Sequence, residues 1–263
     1  MNKNFNYKEK KKNELEWWKS NHSQTSAKGL IKSVFHSRLF WDWERTLYSY
    51  DYGKQRMTLF LNKFVDKKRD RLLLAPVGDG SDYKYVKRFS EEIYGIDLSP
   101  RAVELCKKRS DGKINVKVGD ILHSGYPDKF FDIIISTFFF HHIVSLGFNP
   151  FLKEFYRILK QQGILVILDF SILYPLNAFT RPLKKLFRNP YGEVESERPF
   201  RPKLMIQSLK QVGFFKIQLS GANFSHCSIP VPIAKIINKL TRFLLENEIF
   251  KRFSWIVLFG AIK

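Results

Sequence analysis

Cysteines and long apolar runs are both scarce in this sequence of 263 residues. Its two cysteines, Cys106 and Cys227, have no second cysteine or histidine at metal-ligand spacing, so we interpret them as reduced structural thiols and expect no metal site. The longest clean apolar run, residues 255–262, is far too short to span a bilayer. The charged N-terminus has no apolar stretch behind it, so no secretory signal is readable. These absences predict a cytoplasmic protein, with peripheral contact to a membrane left open.

Acidic residues are also few, and the resulting positive charge is unevenly placed. The chain has 45 basic and 25 acidic residues, which gives a net charge of +20. Residues 72–175 carry a net charge of only +1, whereas residues 1–71 and 176–253 carry +9 each. Flanks of this kind suit an anionic substrate, an anionic membrane surface or RNA, and they equally suit a solvated surface that keeps a protein in solution. Charge alone does not decide among these.

Strand-like and helix-like segments alternate along the middle of the chain, a rhythm typical of βαβ units on a parallel sheet. The predicted strands are 70–77, 91–97, 114–118, 130–137 and 164–170, and the predicted helices are 82–90, 100–109 and 150–159. Beyond these we predict an irregular insertion over 171–201, a helix over 203–212, a strand over 214–219, an amphipathic segment over 230–250 and a last strand over 254–262.

The first predicted strand ends in a glycine turn, and the second ends in a carboxylate. The run Leu72-Leu-Leu-Ala-Pro-Val-Gly-Asp-Gly80 is followed, one helix later, by Ile93-Tyr-Gly-Ile-Asp97. Glycine lets the backbone approach a ligand without a Cβ in the way, and a carboxylate at a strand tip accepts hydrogen bonds from both hydroxyls of a ribose. The two segments together predict a site for a nucleotide-type cofactor in an open α/β sheet, and therefore an enzyme.

Five sequence blocks in this order resemble those of the class I S-adenosylmethionine-dependent methyltransferases, especially the group related to quinone-biosynthesis enzymes. The blocks lie at residues 72–80, 93–97, 118–121, 132–137 and 159–165. The resemblance implies a Rossmann-like sheet of seven mostly parallel strands, with helices on both faces and an antiparallel last strand. It also implies S-adenosyl-L-methionine as cofactor, and a methyltransferase domain over 70–263 with insertions at 171–201 and 226–252.

The resemblance further implies which residues contact the cofactor. Gly78 and Gly80 would face its methionine part, Asp97 would bind the ribose, and Asp120 with Ile121 would border the adenine. For Asp120 a simple role as a helix N-cap remains the alternative. The full set of implied contacts is Ala75, Pro76, Gly78, Gly80, Asp97, Leu98, Asp120, Ile121, Thr137 and Phe138.

The chain departs from the family pattern in its first block. The family usually has an acidic residue where this chain has Leu74, and a glycine where it has Pro76. The missing carboxylate removes one usual contact, direct or through water, to the amino group of the cofactor. Asp79 and Asp82 are the residues that could replace it.

The segment after the fourth predicted strand contains the candidate catalytic residues. An imidazole near neutrality can accept a proton from a hydroxyl acceptor, so His141 and His142 are candidate general bases. The alternative is that one histidine caps backbone groups while the other faces solvent. The preceding run of three phenylalanines, residues 138–140, predicts buried core, or one ring in cation–π contact with a sulfonium.

The acceptor is expected to lie against the irregular segments, since these differ by substrate among related enzymes. Candidate acceptor contacts just past the fifth strand are Tyr174, Asn177 and Arg181. The leading interpretation is methyl transfer to a small-molecule acceptor, or to a lipid- or sugar-linked one, which the basic flanks would suit if it is anionic. An RNA methyltransferase is the second interpretation, and a non-catalytic nucleotide-binding protein or a nicotinamide dehydrogenase is the third.

Two flanking segments have predicted roles. Residues 1–69 are basic and aromatic, and we hypothesise that they form a helical lid over the cofactor and part of the acceptor pocket. The amphipathic segment over 230–250 has isoleucines, leucines and a phenylalanine on one face and basic residues on the other. It would either lie on an anionic membrane or pack as an ordinary helix on the sheet.

Overall fold

A computed structural model describes residues 3–22, 43–177 and 198–263 of the chain. Within these ranges the strands are β1 (Arg69–Leu74), β2 (Ser90–Asp97), β3 (Asn115–Val118), β4 (Phe131–Thr137), β5 (Leu159–Phe170), β6 (Phe215–Asn223) and β7 (Ile256–Ile262). The α-helices there are α1 (Lys3–His22), α2 (Trp43–Leu61), α3 (Tyr83–Val86), α4 (Pro100–Ser110), α5 (Asn149–Ile158), α6 (Pro202–Val212) and α7 (Val231–Leu240).

The seven strands form one sheet in the order β3-β2-β1-β4-β5-β7-β6. Strands β3, β2, β1, β4 and β5 pair in parallel, whereas β7 is antiparallel to both of its neighbours. The chain reverses its direction across the sheet after β3, so the carboxyl ends of β1, β2, β4 and β5 meet at one edge. This order confirms the predicted Rossmann-like sheet with its antiparallel last strand.

Alternate residues of the central strands build a hydrophobic core on each face of the sheet. On β1, Leu73 points into one core, whereas Leu72 and Leu74 point into the other. Phenylalanines of α5 cover the first face, and Met57 and Leu61 of α2 cover the second. Because these strands are buried on both faces, their sequences are continuous apolar runs, as expected for a parallel sheet.

Local capping explains the helices that the sequence predicted well. Helix α4 begins with Ser99 as N-cap, whose hydroxyl accepts a hydrogen bond from the Ala102 N–H at 3.2 Å, and Pro100 occupies the first turn. Helix α6 ends at Gly213, which has a φ of 112° and a backbone N–H that satisfies carbonyls of the last turn.

Several predicted boundaries were wrong, among them the end of β6, which lies at Asn223 instead of residue 219. The helix predicted over 82–90 is only the single turn of α3, because the Asp82 carboxylate makes long-range contacts instead of capping it. Strand β1 ends at Leu74 rather than at residue 77, because Pro76 has no backbone N–H to donate to a neighbouring strand. Strand β5 begins at Leu159 rather than at residue 164, because Leu159 pairs with Phe131 directly after α5.

Ala234 and Asn238 are the buried residues of α7 itself, and the Asn238 amide lies 3.4 Å from the Tyr48 hydroxyl of α2. Its isoleucines and leucine on the opposite side are largely exposed. In the described part of the chain no helix is both long and apolar enough to cross a bilayer.

Candidate functional site

The glycine turn after β1 is tied to the tip of β2 by one carboxylate. The N–H of Gly78 donates to Asp97 Oδ2 at 2.9 Å, and the N–H of Ser99 donates to Asp97 Oδ1 at 2.9 Å. Both glycines of the turn have positive φ, 54° at Gly78 and 77° at Gly80. A Cβ on Gly80 would lie 2.9 Å from Cys106 Sγ, whereas a Cβ on Gly78 would meet open space. The surface above Gly78 is therefore open to a ligand.

Asp97 is a nearly enclosed acid. Its exposed fraction is 4%, and burial raises its pKa to about 6, although three backbone N–H groups act in the opposite direction. A carboxylate with this little water around it gains from additional hydrogen-bond donors, such as hydroxyl groups of a ligand.

A second buried carboxylate lies beside the first strand tip. Leu74 is part of the core, but Asp82 accepts a hydrogen bond from Thr137 Oγ1 at 2.6 Å at the end of β4. The Lys54 ammonium of α2 lies 2.6 Å from Asp82 Oδ1; the Asp82 side chain is buried and that of Lys54 is largely covered. Asp79 instead pairs with Arg109 at 3.0 Å in a more exposed place. Of the two residues proposed to replace the acid missing at position 74, Asp82 is the one enclosed within the site.

Asp120 follows β3 and makes two kinds of contact. It is the N-cap of a single 3₁₀ turn, Ile121–His123, in which Asp120 Oδ1 accepts from the Leu122 N–H at 2.9 Å. The Tyr7 hydroxyl and the Lys11 ammonium of α1 also donate to its carboxylate. Burial raises the pKa of Asp120, but these hydrogen bonds outweigh burial and lower it. The N-cap role is present in the structure, and α1 covers the same carboxylate.

The two adjacent histidines have different environments. His141 is buried, and its Nδ1 lies 2.8 Å from Oδ1 of Asp169, a fully buried residue near the end of β5. Asp169 also accepts from the N–H groups of Phe140 and Phe170, each at 2.7 Å. With Asp169 as the hydrogen-bond acceptor, a neutral His141 carries its proton on Nδ1, which makes Nε2 the proton-accepting atom.

His142 is held by α1. Its carbonyl accepts from Lys10 Nζ at 2.5 Å, and its Nδ1 lies 3.6 Å from a carboxylate oxygen of Glu14. Burial, and then the charges of His141 and Lys10, lower the pKa of His142 well below its usual value. This shift of the pKa favours the neutral form of the imidazole.

Four aromatic rings stack on one another next to His141. Phe138, which has a φ of 51°, stacks on Tyr50 of α2 at 4.6 Å and on Phe170 at 5.1 Å between ring centroids. Trp255 lies 5.2 Å from Phe170 and 6.0 Å from Tyr50. The His141 ring is 4.9 Å from Phe170, edge to face. We call Tyr50, Phe138, Phe170 and Trp255 the aromatic wall.

The remaining predicted site residues have structural contacts. The Tyr174 hydroxyl donates to the Phe224 carbonyl at 2.8 Å, and the Asn177 amide donates to the Ser171 and Ile172 carbonyls. Both side chains therefore hold the segment that follows β5. Their roles toward an acceptor stay predictions, and Arg181 lies outside the described residues. Ala75 and Ile121 are buried, while Pro76, Leu98, Thr137 and Phe138 are half-buried around the same sheet edge.

Sequence reasoning missed several residues that the structure brings to this edge. Asp169, at the end of an apolar strand, carries the same local pattern as Asp97 and could have been found by it. Tyr7, Lys11 and Lys54 had no local pattern to identify them, because their partners are distant in the chain. A separate surface pocket of about 520 Å³ lies near Lys117 and Tyr126 and includes none of the predicted site residues.

Comparisons with known proteins agree with this geometry. Residues 74–167 match the family described as "Methyltransferase domain". An uncharacterized methyltransferase of Anoxybacillus flavithermus is 28% identical over 143 residues, which cover 51% of this chain and 67% of that protein. A demethylmenaquinone methyltransferase of Tropheryma whipplei is 30% identical over 122 residues, which cover 45% of this chain and 48% of that protein.

A solved structure shares the fold across most of the chain. It is the SAM-dependent methyltransferase of Thermotoga maritima described as a possible histamine N-methyltransferase, with a TM-score of 0.61 and 18% identity. The match covers 84% of this chain and 94% of that one. The match extends the shared architecture beyond the segment that the sequence family covers.

Proposed function

We propose that this chain is a class I S-adenosylmethionine-dependent methyltransferase that methylates a small-molecule acceptor, or a lipid- or sugar-linked one, with an apolar or aromatic body. The observation that carries the proposal is the aromatic wall beside the buried pair of His141 and Asp169. A flat apolar acceptor gains from stacking on such rings. The relative named demethylmenaquinone methyltransferase supports an acceptor with a quinone-type ring.

The residues at the sheet edge suit the cofactor. The open space above Gly78 accommodates the methionine part, and Asp97 accepts hydrogen bonds from the ribose hydroxyls. Asp120 and Ile121 would border the adenine, and the rings of the aromatic wall would attract the sulfonium. When bound, S-adenosylmethionine supplies a methyl group on a positive sulfur, which is ready for in-line displacement.

Lys54 and Asp82 hold the amino-acid end of the cofactor in this proposal. The Lys54 ammonium attracts its carboxylate, and Asp82 accepts a hydrogen bond from its ammonium group. The family usually has an acid at the position of Leu74 for the second contact, and here Asp82 would replace it. Thr137 orients Asp82 through their 2.6 Å hydrogen bond.

His141 accepts the proton of the acceptor as the methyl group arrives. Asp169 fixes the imidazole in the tautomer whose Nε2 is basic, and stabilises the imidazolium that forms. His142 does not take this part, because its contacts with Lys10 and Glu14 belong to the α1 interface. No metal is required for this chemistry, since the sulfonium is already an activated donor.

Helices α1 and α2 act as the lid in this proposal, within an N-terminal region over 1–69. α1 reaches Asp120 through Tyr7 and Lys11, and α2 contributes Tyr50 to the aromatic wall. The two helices thus cover the adenine side and the acceptor side respectively. Because α1 donors already occupy the Asp120 carboxylate, α1 shifts when adenine binds there.

Transfer of a labelled methyl group tests the proposed acceptor class. The chain is incubated with methyl-labelled S-adenosylmethionine and, separately, a prenylated quinol, a small phenol, a sugar phosphate lipid and bulk tRNA. We expect label in one of the small or lipid-linked acceptors, and none with the Asp97→Ala variant. Label in tRNA and in none of the other acceptors would contradict the proposal in favour of RNA methylation.

A further inference from the structure

The segment from α7 to residue 250 presents an apolar surface to solvent. Exposed fractions are 58% at Ile236, 65% at Leu240 and 73% at Phe243, which are high for large apolar side chains. The complete set of exposed apolar residues in this segment is Ile233, Ile236, Leu240, Phe243, Ile249 and Phe250. We call these six residues the apolar ridge.

The arrangement of α7 explains why the ridge is exposed. Residues 233, 236 and 240 follow the spacing of one helical face, and Ala234 with Asn238 occupies the buried face. Asn238 anchors that face by hydrogen bonds from its amide to Ser225 Oγ at 3.0 Å and to the Tyr48 hydroxyl. The helix is therefore docked to the domain by its small and polar residues, and its large apolar residues point outward.

Positive charge lies beside the ridge. Lys235, Lys239 and Arg242 are exposed within the same segment. The two acidic residues of the segment are neutralised by neighbours, Glu246 by Arg56 and Lys63, and Glu248 by Lys251. The surface thus combines apolar side chains with an excess of cations, the pattern of helices that lie in the interface of an anionic bilayer.

We propose that the apolar ridge, with Lys235, Lys239 and Arg242 beside it, docks the protein on the surface of a membrane that contains anionic phospholipids. Charge complementarity favours this occupant over a second copy of the chain, because a symmetric contact would oppose like charges on molecules that each carry +20. The proposal does not depend on the methylation chemistry. The docking surface is nevertheless connected to the proposed site, because α7 contacts α2, and α2 contributes Tyr50 to the aromatic wall.

Vesicle sedimentation with the full chain tests the docking surface. Vesicles of phosphatidylcholine with 30% phosphatidylglycerol, taken as roughly the anionic content of an acidic membrane, are compared with pure phosphatidylcholine. We expect binding to the acidic vesicles that weakens as salt rises. The variant Ile236→Ser/Leu240→Ser/Phe243→Ser should lower the partition coefficient by about 100-fold or more, and Lys235→Glu/Lys239→Glu by about 30-fold or more.

Matched controls distinguish binding by the apolar ridge from nonspecific binding by other exposed apolar side chains. Leu204→Gln/Phe215→Gln removes two exposed apolar side chains elsewhere on the domain and should leave vesicle binding unchanged. Thermal unfolding of each variant should match the parent, since all altered side chains are exposed. Equal binding to neutral vesicles, or no binding to acidic ones, would overturn the proposal. A concentration-dependent dimer that the triple serine variant abolishes would overturn it in favour of self-association.

Discussion

The nearly neutral middle of the chain, residues 72–175, and its basic flanks build the candidate site in different ways. The middle contributes groups at the tips of parallel strands, where Asp97 contacts Gly78 and Ser99 by short backbone hydrogen bonds. The flanks contribute helices whose side chains reach over those tips, as Lys54 does to Asp82. We therefore expect the middle to supply most contacts to the cofactor and the proposed base, while the flanks add Lys54 at the amino-acid end of the cofactor and cover the site.

Loss of the proposed base should have the largest effect on turnover and should leave cofactor binding intact. We expect His141→Ala to lower kcat by about 100-fold to 10,000-fold, the usual contribution of a general base. The affinity for S-adenosylmethionine, measured by calorimetry, should change little. Asp169→Asn should lower kcat as well, because it favours the wrong tautomer of His141. An equal loss of kcat in His142→Ala would contradict the assignment of separate roles to the two histidines.

Removal of Lys54 tests whether a flank also reaches the cofactor. Lys54→Met should weaken S-adenosylmethionine binding by about 10-fold to 100-fold, because a charge-assisted hydrogen bond is lost. It should also destabilise the fold by about 3 kcal/mol or more, because the buried Asp82 carboxylate loses its partner. Adding Asp82→Asn should restore stability without restoring affinity. Recovery of both would mean that the ion pair is only structural.

The raised pKa of Asp97 predicts opposite effects of pH on stability and on cofactor affinity. Its pKa rises from 3.8 to about 6 on folding, so its protonated form is favoured in the folded state, and the stability it contributes, roughly 3 kcal/mol, is lost as pH rises from about 4 to 6. Ribose hydroxyls donate to the ionised form, so affinity should instead fall as pH drops below about 6, by up to about 10-fold per pH unit. Calorimetry at several pH values checks this, and Asp97→Asn should bind with no such dependence.

Weakening the α1 contacts should have the smallest effect. Tyr7→Phe/Lys11→Met removes two donors to Asp120 and should make adenine binding easier, which raises S-adenosylhomocysteine affinity by about 5-fold, the equivalent of about 1 kcal/mol. The control Lys12→Met alters an exposed lysine of the same helix. Weaker binding in the double variant would mean that α1 holds the adenine rather than covering its site.

The comparison of the two regions also explains what the sequence could predict. The five strands of the middle, the N-cap at Ser99 and the carboxylate at Asp97 follow from local patterns of apolar residues, glycine and proline. The contacts of Tyr7, Tyr50 and Lys54 do not, because each joins residues that only the folded sheet brings together. In the flanking segments no local pattern, such as a carboxylate at the end of an apolar strand, identifies the residue that a side chain will contact.

The outward face of α7 shows a further limit of periodicity. The pattern correctly indicated an amphipathic helix, but it could not say which face contacts the domain. Asn238 and Ala234 face inward because Ser225 and Tyr48 offer hydrogen bonds there. The apolar face is therefore exposed, which a rule of burying the most hydrophobic side would not predict.

The most direct test of the account is a calorimetric titration of the full chain with S-adenosylmethionine at pH 7.5, a value chosen to lie about 1.5 units above the Asp97 pKa. We predict saturable binding at one site, weakened by about 100-fold or more in Asp97→Ala, while Asp66→Ala, which removes an exposed carboxylate paired with Arg69, binds like the parent. Equal affinity in the parent and Asp97→Ala, with both folded, would contradict the central claim that this carboxylate holds the cofactor.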